Sequence, residues 1–147
     1  MTLPEHIGVA ARQGDLETIR AYFDDDSDGA RDVDDVCESS PGSTPLMACA
    51  YCHPDRLTLR NVEVARYLLS RGASVDKKKT TTGSTALILA CFTSFGTVAE
   101  MIQLLLSAGA DPNARNEHER TPLGTHLTYA EPPSVECLTA LLRAGAS

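Results

Sequence analysis

The clearest pattern in the chain is an amphipathic segment that ends in glycine and recurs three times. The segments VEVARYLLSR, AEMIQLLLSA and VECLTALLRA precede Gly72, Gly109 and Gly145, and each spaces its apolar residues three and four positions apart. This spacing places the apolar side chains on one face of a helix. A glycine after the last apolar residue supplies the left-handed conformation that ends a helix. We therefore predict three short helices of the same design.

A second helix is predicted upstream of each of these. The segments STPLMACA, STALILAC and RTPLGTHL place Thr44, Thr85 and Thr121 where a side chain caps a helix N-terminus. Pro45 and Pro122 fit the first turn of such a helix, because that turn needs no amide hydrogen from them. Each unit is therefore predicted to hold two antiparallel helices.

The glycine-ended helices carry their own start signals. Asn61 and Ser134 are predicted N-caps, and a glutamate in each first turn is expected to interact favourably with the helix dipole. These glutamates are Glu63, Glu100 and Glu136. The leucines are predicted to form the seam between stacked units: Leu68, Leu69, Leu104, Leu105, Leu106, Leu141 and Leu142.

The repeated motifs resemble those of a known family. TPLMACA, GSTALILACF, LLLSAGADPNA and ERTPL are similar to the ankyrin repeat pattern, and EHIGVAARQGDLETIRAYF resembles an N-terminal capping repeat. The resemblance implies an all-α solenoid of about four helix-turn-helix units, with extended loops between the paired helices. We expect a single domain over residues 1–147, with units at approximately 4–36, 40–76, 81–113 and 117–147. The resemblance also implies a concave face that binds a protein or peptide.

Composition limits the classes of binding partner and the cellular compartments that we expect. The chain has 147 residues, with 20 acidic and 13 basic side chains and a formal charge of −7, so attraction to a phosphate backbone is weak and no nucleic-acid partner is expected. The N-terminus lacks the pattern of a signal peptide, and no apolar run reaches the length of a membrane span. We therefore expect a monomer in the cytoplasm or nucleus that does not bind membranes. Five cysteines in such a compartment are expected to be buried thiols.

The candidate partner-binding residues lie in the loops and turns that the units present. The loops YCHPDRLTLR, TSFGT and YAEPPS are longer than the repeat needs, and they are either tolerated insertions or a recognition surface. Phe92 and Phe95 either anchor a partner or cover the core beneath their own loop. The lysine run in DKKKTTTGS either is solvated or meets a carboxylate-rich partner. The candidates are Tyr51, His53, Arg56, Lys77, Lys78, Lys79, Phe92, Phe95, Arg115, His118, Arg120 and Tyr129.

An acidic segment raises a calcium hypothesis. FDDDSDGARDVDD matches the ligand spacing of an EF-hand loop through Asp24, Asp26, Asp28, Asp32 and Asp35. Against the hypothesis, Asp35 is shorter than the usual bidentate glutamate and no exit helix follows. An acidic linker between the first two units accounts for the same residues.

Other chemistry has little support. Cys49, Cys52 and His53 have the spacing of a haem attachment motif, but Cys49 falls at a tightly packed helix position, so no cofactor is expected. The histidines have no paired nucleophile and there is no glycine-rich phosphate loop, so no enzymatic activity is expected. Asn113 resembles the asparagine that hydroxylases modify in ankyrin repeats, or it closes its turn through its side chain.

These observations favour a non-catalytic protein–protein interaction module that binds through the concave face and the turns between units. Two alternatives stay open. The chain is an N-terminal targeting arm of a larger multidomain protein whose activity lies beyond residue 147, or it is a calcium-responsive module that uses the acidic loop 24–35.

Overall fold

Four helix pairs and one short strand pair make up the part of the chain that the structure describes. A computed structural model describes residues 2–27, 29–51, 57–95 and 97–147. Its elements are β1 (Thr2–Leu3), α1 (Glu5–Gln13), α2 (Leu16–Asp24), β2 (Val36–Cys37), α3 (Pro45–Ala50), α4 (Leu59–Ser70), α5 (Ala86–Ala90), α6 (Val98–Ser107), α7 (Pro122–Tyr129) and α8 (Val135–Arg143). None of the described helices is long and apolar enough to cross a bilayer.

The helices stack in two layers. The first helices of the pairs, α1, α3, α5 and α7, pack against one another in chain order, and the second helices, α2, α4, α6 and α8, do the same. Within each pair the two helices also contact each other. Because each unit buries its apolar side against the next, the all-α solenoid predicted from the sequence is confirmed.

Leucines of the second, third and fourth repeats form the seam between units. Leu68, Leu105 and Leu141 occupy equivalent places and are fully buried. Leu69, Leu104 and Leu106 are partly buried against the same core. The prediction was wrong for Leu142, whose side chain is 56% exposed. One residue along a helix rotates the side chain by about 100°, so Leu142 leaves the face that Leu141 buries.

The capping threonines are where the sequence predicts them. Thr44, Thr85 and Thr121 each accept a hydrogen bond from the backbone N–H three residues later. Ser134 caps α8 in the same way. The glycines that follow α4, α6 and α8 have φ values of 91°, 93° and 95°, which confirms the predicted left-handed helix ends.

Helix α4 begins earlier than the sequence pattern suggests. Its N-cap is Thr58, so Asn61 is the third helical residue and the prediction of Asn61 as the cap was wrong. Glu63 consequently lies beyond the first turn, whereas Glu100 and Glu136 lie within theirs. The loop before α4 is therefore shorter than expected.

Asn61 has a different role, which joins the first two units. Its side chain is fully buried, and its Oδ1 accepts the N–H of Thr58 at 3.0 Å. Its Nδ2 donates to the carbonyls of Ala11 at 3.3 Å and Arg12 at 2.9 Å, at the end of α1. One side chain thus bonds to the start of α4 and to two carbonyls at the end of α1, of which that of Ala11 also accepts the Gly14 N–H.

The N-terminal strand covers the first unit. β1 pairs in parallel with β2, with Thr2 opposite Val36 and Leu3 opposite Cys37. Leu3 is buried, so this short strand extends the core past the first helix pair.

A ladder of side-chain acceptors links the turns of successive units. In each case the side chain of an Asp or Asn in one turn accepts the backbone N–H of a residue in the turn of the next unit. The accepting residue lies two positions after the counterpart of the donating residue. The pairs are Asp34 with Ser74, Asp76 with Asp111, and Asn113 with Ser147, at 3.0 Å each. The segment Asp32-Val33-Asp34 is therefore the counterpart of Ser74-Val75-Asp76, and it belongs to the first repeat.

Candidate functional site

Three aromatic side chains from three successive units form a continuous row. Tyr51 caps the end of α3, Phe92 follows the end of α5, and Tyr129 is the last residue of α7. The rings of Tyr51 and Phe92 are 6.1 Å apart at 89°, and those of Phe92 and Tyr129 are 4.9 Å apart at 39°. We call Tyr51, Phe92 and Tyr129 the aromatic row.

The stacking of the units explains why the rings meet. Tyr51 and Phe92 each follow their capping threonine by seven residues, and Tyr129 follows its own by eight. The first-layer helices are in contact, so equivalent positions on neighbouring helices come close together. Edge-on and tilted ring pairs at these distances are favourable contacts.

The row is partly open to solvent. Tyr51 is 52% exposed and Tyr129 is 40% exposed, while Phe92 is half-buried and packs against the core. The packing of Phe92 confirms that it covers the core, and its role as an anchor for a partner stays a prediction. Phe95 is 52% exposed but contacts no ring among the described residues, so it stands apart from the row.

Arg120 lies over one end of the aromatic row. Its guanidinium carbon is 4.9 Å from the centre of the Tyr129 ring, a cation–π distance. Asn116 holds the backbone of Arg120 from both sides, because its Oδ1 accepts the Arg120 N–H at 3.0 Å and its own N–H donates to the Arg120 carbonyl at 3.2 Å. Asn116 also donates to Ser84 Oγ at 3.1 Å, which ties this turn to the preceding unit.

Two turns between units carry the predicted basic residues and His118, and these turns contact each other. We call residues 76–84 finger A and residues 114–120 finger B. The Lys78 Nζ donates to the Arg115 carbonyl at 3.0 Å, and the Glu117 N–H donates to the Thr82 carbonyl at 3.0 Å. An open cleft of about 490 Å³ lies between the fingers; its lining includes Lys78, Lys79, Arg115, Asn116, Glu117 and Glu119.

The other predicted binding residues are distributed unevenly. His118 is exposed in finger B, and Lys77 donates to the Asp34 carbonyl at 2.7 Å. His53 and Arg56 lie outside the described residues. The structure thus brings together Tyr51, Phe92 and Tyr129 with Arg120, the last residue of finger B.

The acidic segment does not form a cation site among the residues that the structure describes. Asp24 accepts hydrogen bonds from the Tyr67 hydroxyl at 2.6 Å and from Arg71 at 3.2 Å. The Asp26 carboxylate accepts the backbone N–H groups of Ala30 and Arg31.

The other acidic positions add no ligand set. Asp32 accepts the Asp34 N–H, and Asp28 lies outside the described residues. No three His, Cys, Asp or Glu side chains in the described ranges are placed to share a metal ion. The calcium hypothesis therefore has no support from Asp24, Asp26 and Asp32, because protein donors bind their carboxylates. The cysteine–histidine motif also stays unsupported, since Cys52 and His53 are not described.

His126 is a core histidine that links three elements. It is fully buried, its Nδ1 is 3.2 Å from the Cys91 carbonyl, and its Nε2 accepts the Ser134 N–H at 3.0 Å. These partners require a neutral ring that carries its hydrogen on Nδ1. Burial lowers the pKa of His126 below its ordinary value.

The side chain of Asn113 joins the third unit to the fourth. Its Oδ1 accepts the N–H and the hydroxyl of Ser147, and its Nδ2 donates to the Gly145 carbonyl at 3.0 Å. The prediction that Asn113 closes its own turn was wrong, because the Asp111 carboxylate accepts the Asn113 N–H within that turn at 2.9 Å. Its hydroxylation stays a prediction.

The sequence analysis did not predict the role of Asn116, which fixes Arg120, or the exposure of Leu127 on α7, which is 55%. The spacing of Asn116, four residues before Arg120, was an available signal for a turn-closing amide. Leu127 carried no such signal, because the equivalent residues Ala50 and Cys91 are buried.

Comparisons with known proteins agree with the architecture. The family model described as ankyrin repeats (3 copies) matches residues 7–116 and again 59–147. The chain is 33% identical over 119 residues to ankyrin repeat and SOCS box protein 3 of Homo sapiens, covering 80% of this chain and 20% of that protein. It is 38% identical over 103 residues to ankyrin repeat, SAM and basic leucine zipper domain-containing protein 1 of Dasypus novemcinctus, covering 67% and 19%. The chain thus spans about a fifth of the length of these curated relatives.

Proposed function

Because this chain belongs to the ankyrin repeat family, whose repeats generally serve as protein–protein interaction modules, we propose that it binds a partner protein or peptide without catalysis of its own. The binding surface in this proposal consists of the aromatic row on the concave side expected of the family, together with fingers A and B.

The observation that carries the proposal is the continuity of the aromatic row. Tyr51 and Tyr129 leave about half of their side chains in solvent, although both rings contact Phe92. Aromatic rings that pack against a neighbouring ring and are partly exposed to solvent are efficient anchors. They bury a large apolar area and lose little rotamer freedom on binding. Scattered apolar residues on a surface need no explanation, but a row that crosses three units is a contiguous patch.

The surroundings of the row favour a preorganised surface. The capped first-layer helices set the positions of the rings, and Asn116 fixes the turn that carries Arg120. Little ordering is then required when a partner binds, so more of the contact energy contributes to affinity.

The experiment replaces two rings and leaves the core intact. The double variant Tyr51→Ala/Tyr129→Ala and the matched control Leu59→Ala, which removes a 60% exposed side chain from α4, are compared with wild type in affinity capture from native lysate with quantitative mass spectrometry. We expect the double variant to lose the specific partners at least about tenfold, since two anchor residues are worth 1 kcal/mol or more each. Circular dichroism checks that each variant remains helical.

The control defines the outcome that contradicts the proposal. If the double variant captures the same proteins as wild type in the same amounts, the aromatic row is not the binding surface. If Leu59→Ala loses the partners instead, the second layer of helices binds them.

A further inference from the structure

The two fingers have a charge opposite in sign to the rest of the chain. Residues 76–84 and 114–120 contain five basic side chains and three acidic ones, whereas the whole chain has 13 basic and 20 acidic. All three lysines of the protein are in finger A. The fingers therefore carry a local positive charge on an acidic molecule.

Asp76, Glu117 and Glu119 offset three of the five basic charges and leave the fingers with a net formal charge of +2. Asp76 accepts the Asp111 N–H with both carboxylate oxygens, at 3.0 and 3.2 Å, and Glu119 pairs with Arg115 at 3.0 Å. The ammonium groups of Lys77 and Lys78 donate to backbone carbonyls rather than to carboxylates. The excess positive charge thus lies on the lysine run and on Arg120.

Arg120 joins this charge to the aromatic row. Its guanidinium lies over the Tyr129 ring, with the guanidinium carbon 4.9 Å from the ring centre, and it makes no ion pair with any of the described carboxylates. A guanidinium beside a ring still has N–H donors that fit the two oxygens of a carboxylate. A partner that covers the row therefore meets an aromatic surface and a carboxylate receptor next to each other.

We propose that the partner presents an acidic, extended segment in which aromatic or aliphatic side chains lie against the aromatic row and an Asp or Glu carboxylate binds Arg120, with further acidic residues facing Lys77, Lys78 and Lys79. This inference rests on the proposed function and specifies the chemistry of the segment that occupies the same surface. The positive charge that complements an acidic segment lies on Arg120 and on the lysines of finger A, although the molecule as a whole is acidic.

The test is an unbiased selection of peptide ligands. Wild-type protein is immobilised and selects from a random peptide display library, and the enriched peptides are synthesised for fluorescence polarisation. We expect Asp or Glu to be enriched within a few positions of Phe, Trp, Leu or Ile. Affinity should fall as the salt concentration rises.

Charge-removing variants then locate the contacts. Arg120→Gln is expected to weaken the selected peptides by about tenfold, because a hydrogen bond to a charged group contributes about 1.5 kcal/mol or more. The triple variant Lys77→Gln/Lys78→Gln/Lys79→Gln should weaken binding and flatten its salt dependence. Arg66→Gln, which removes an exposed charge from α4, is the matched control and should bind like wild type.

The outcomes separate this inference from the proposed function. Selected peptides that are basic or uncharged, or that bind Arg120→Gln as well as wild type, overturn the acidic-segment inference; the proposed function stands if those peptides still require Tyr51 and Tyr129. Peptides that bind Tyr51→Ala/Tyr129→Ala as well as wild type overturn both. A selection that enriches no peptide at all also counts against both.

Discussion

Single buried polar side chains join neighbouring units through hydrogen bonds to groups of the adjoining unit. Asn61 satisfies two carbonyls at the end of α1 and one N–H at the start of α4. Asn116 donates to Ser84 Oγ, and His126 contacts the Cys91 carbonyl and accepts the Ser134 N–H. Burying a polar group is costly unless its partners are in place. These residues therefore fix how the units are oriented relative to each other.

The histidine among them makes stability depend on pH. The folded state disfavours the charged ring of His126, so below the ordinary pKa of about 6.5 the unfolded chain binds a proton that the folded chain does not. The free energy of unfolding should then fall as pH drops from 7.5 to 5, by at most about 1.4 kcal/mol per pH unit for this one proton. Urea unfolding followed by circular dichroism at several pH values measures the slope.

Two variants assign the slope to this residue. His126→Gln keeps an acceptor for the Ser134 N–H but does not titrate, so its stability should vary less between pH 7.5 and 5 than that of wild type. Gln103→Ala removes an exposed side chain that carries no ionisable group and should leave the slope unchanged. An unchanged slope in His126→Gln would refute the assignment.

At the scale of helices, spacing predicts which elements exist better than where they start. The predicted caps Thr44, Thr85, Thr121 and Ser134 are correct because each directly precedes its apolar pattern. At α4, Thr58 and Asn61 are both good capping residues, and the sequence pattern favoured the second. Long-range bonds from Asn61 to the end of α1 decide the question, and such bonds cannot be seen in local sequence.

Two adjacent leucines on α8 provide a matched test of the seam. Leu141 is fully buried and Leu142 is 56% exposed. We expect Leu141→Ala to reduce the free energy of unfolding by about 2–5 kcal/mol, because it leaves a cavity in the core. Leu142→Ala should change it by no more than about 0.5 kcal/mol. Denaturant unfolding of both variants measures the difference, and similar losses would show that the helix face is assigned incorrectly.

At the scale of the whole molecule, stacking turns local repeats into a surface that no unit has alone. The solenoid was predictable from the three glycine-ended helices, and its first helix pair from the resemblance of residues 5–23 to a capping repeat. The aromatic residues were predictable as candidates, but their ring contacts depend on how α3, α5 and α7 pack. The position of Arg120 over Tyr129 depends on the turn that Asn116 closes. Sequence therefore named most of the residues, and the packing of units determined which of them meet.

The most direct test of the central claim, that a partner covers the aromatic row, is site-specific photo-crosslinking. A benzophenone-bearing phenylalanine replaces Tyr129 in one variant and the exposed Leu59 of α4 in another, and both are irradiated in native lysate. We predict discrete adducts from position 129 that are absent from position 59 and that weaken when Tyr51→Ala is added. Adducts from position 59 with none from position 129 would contradict the account.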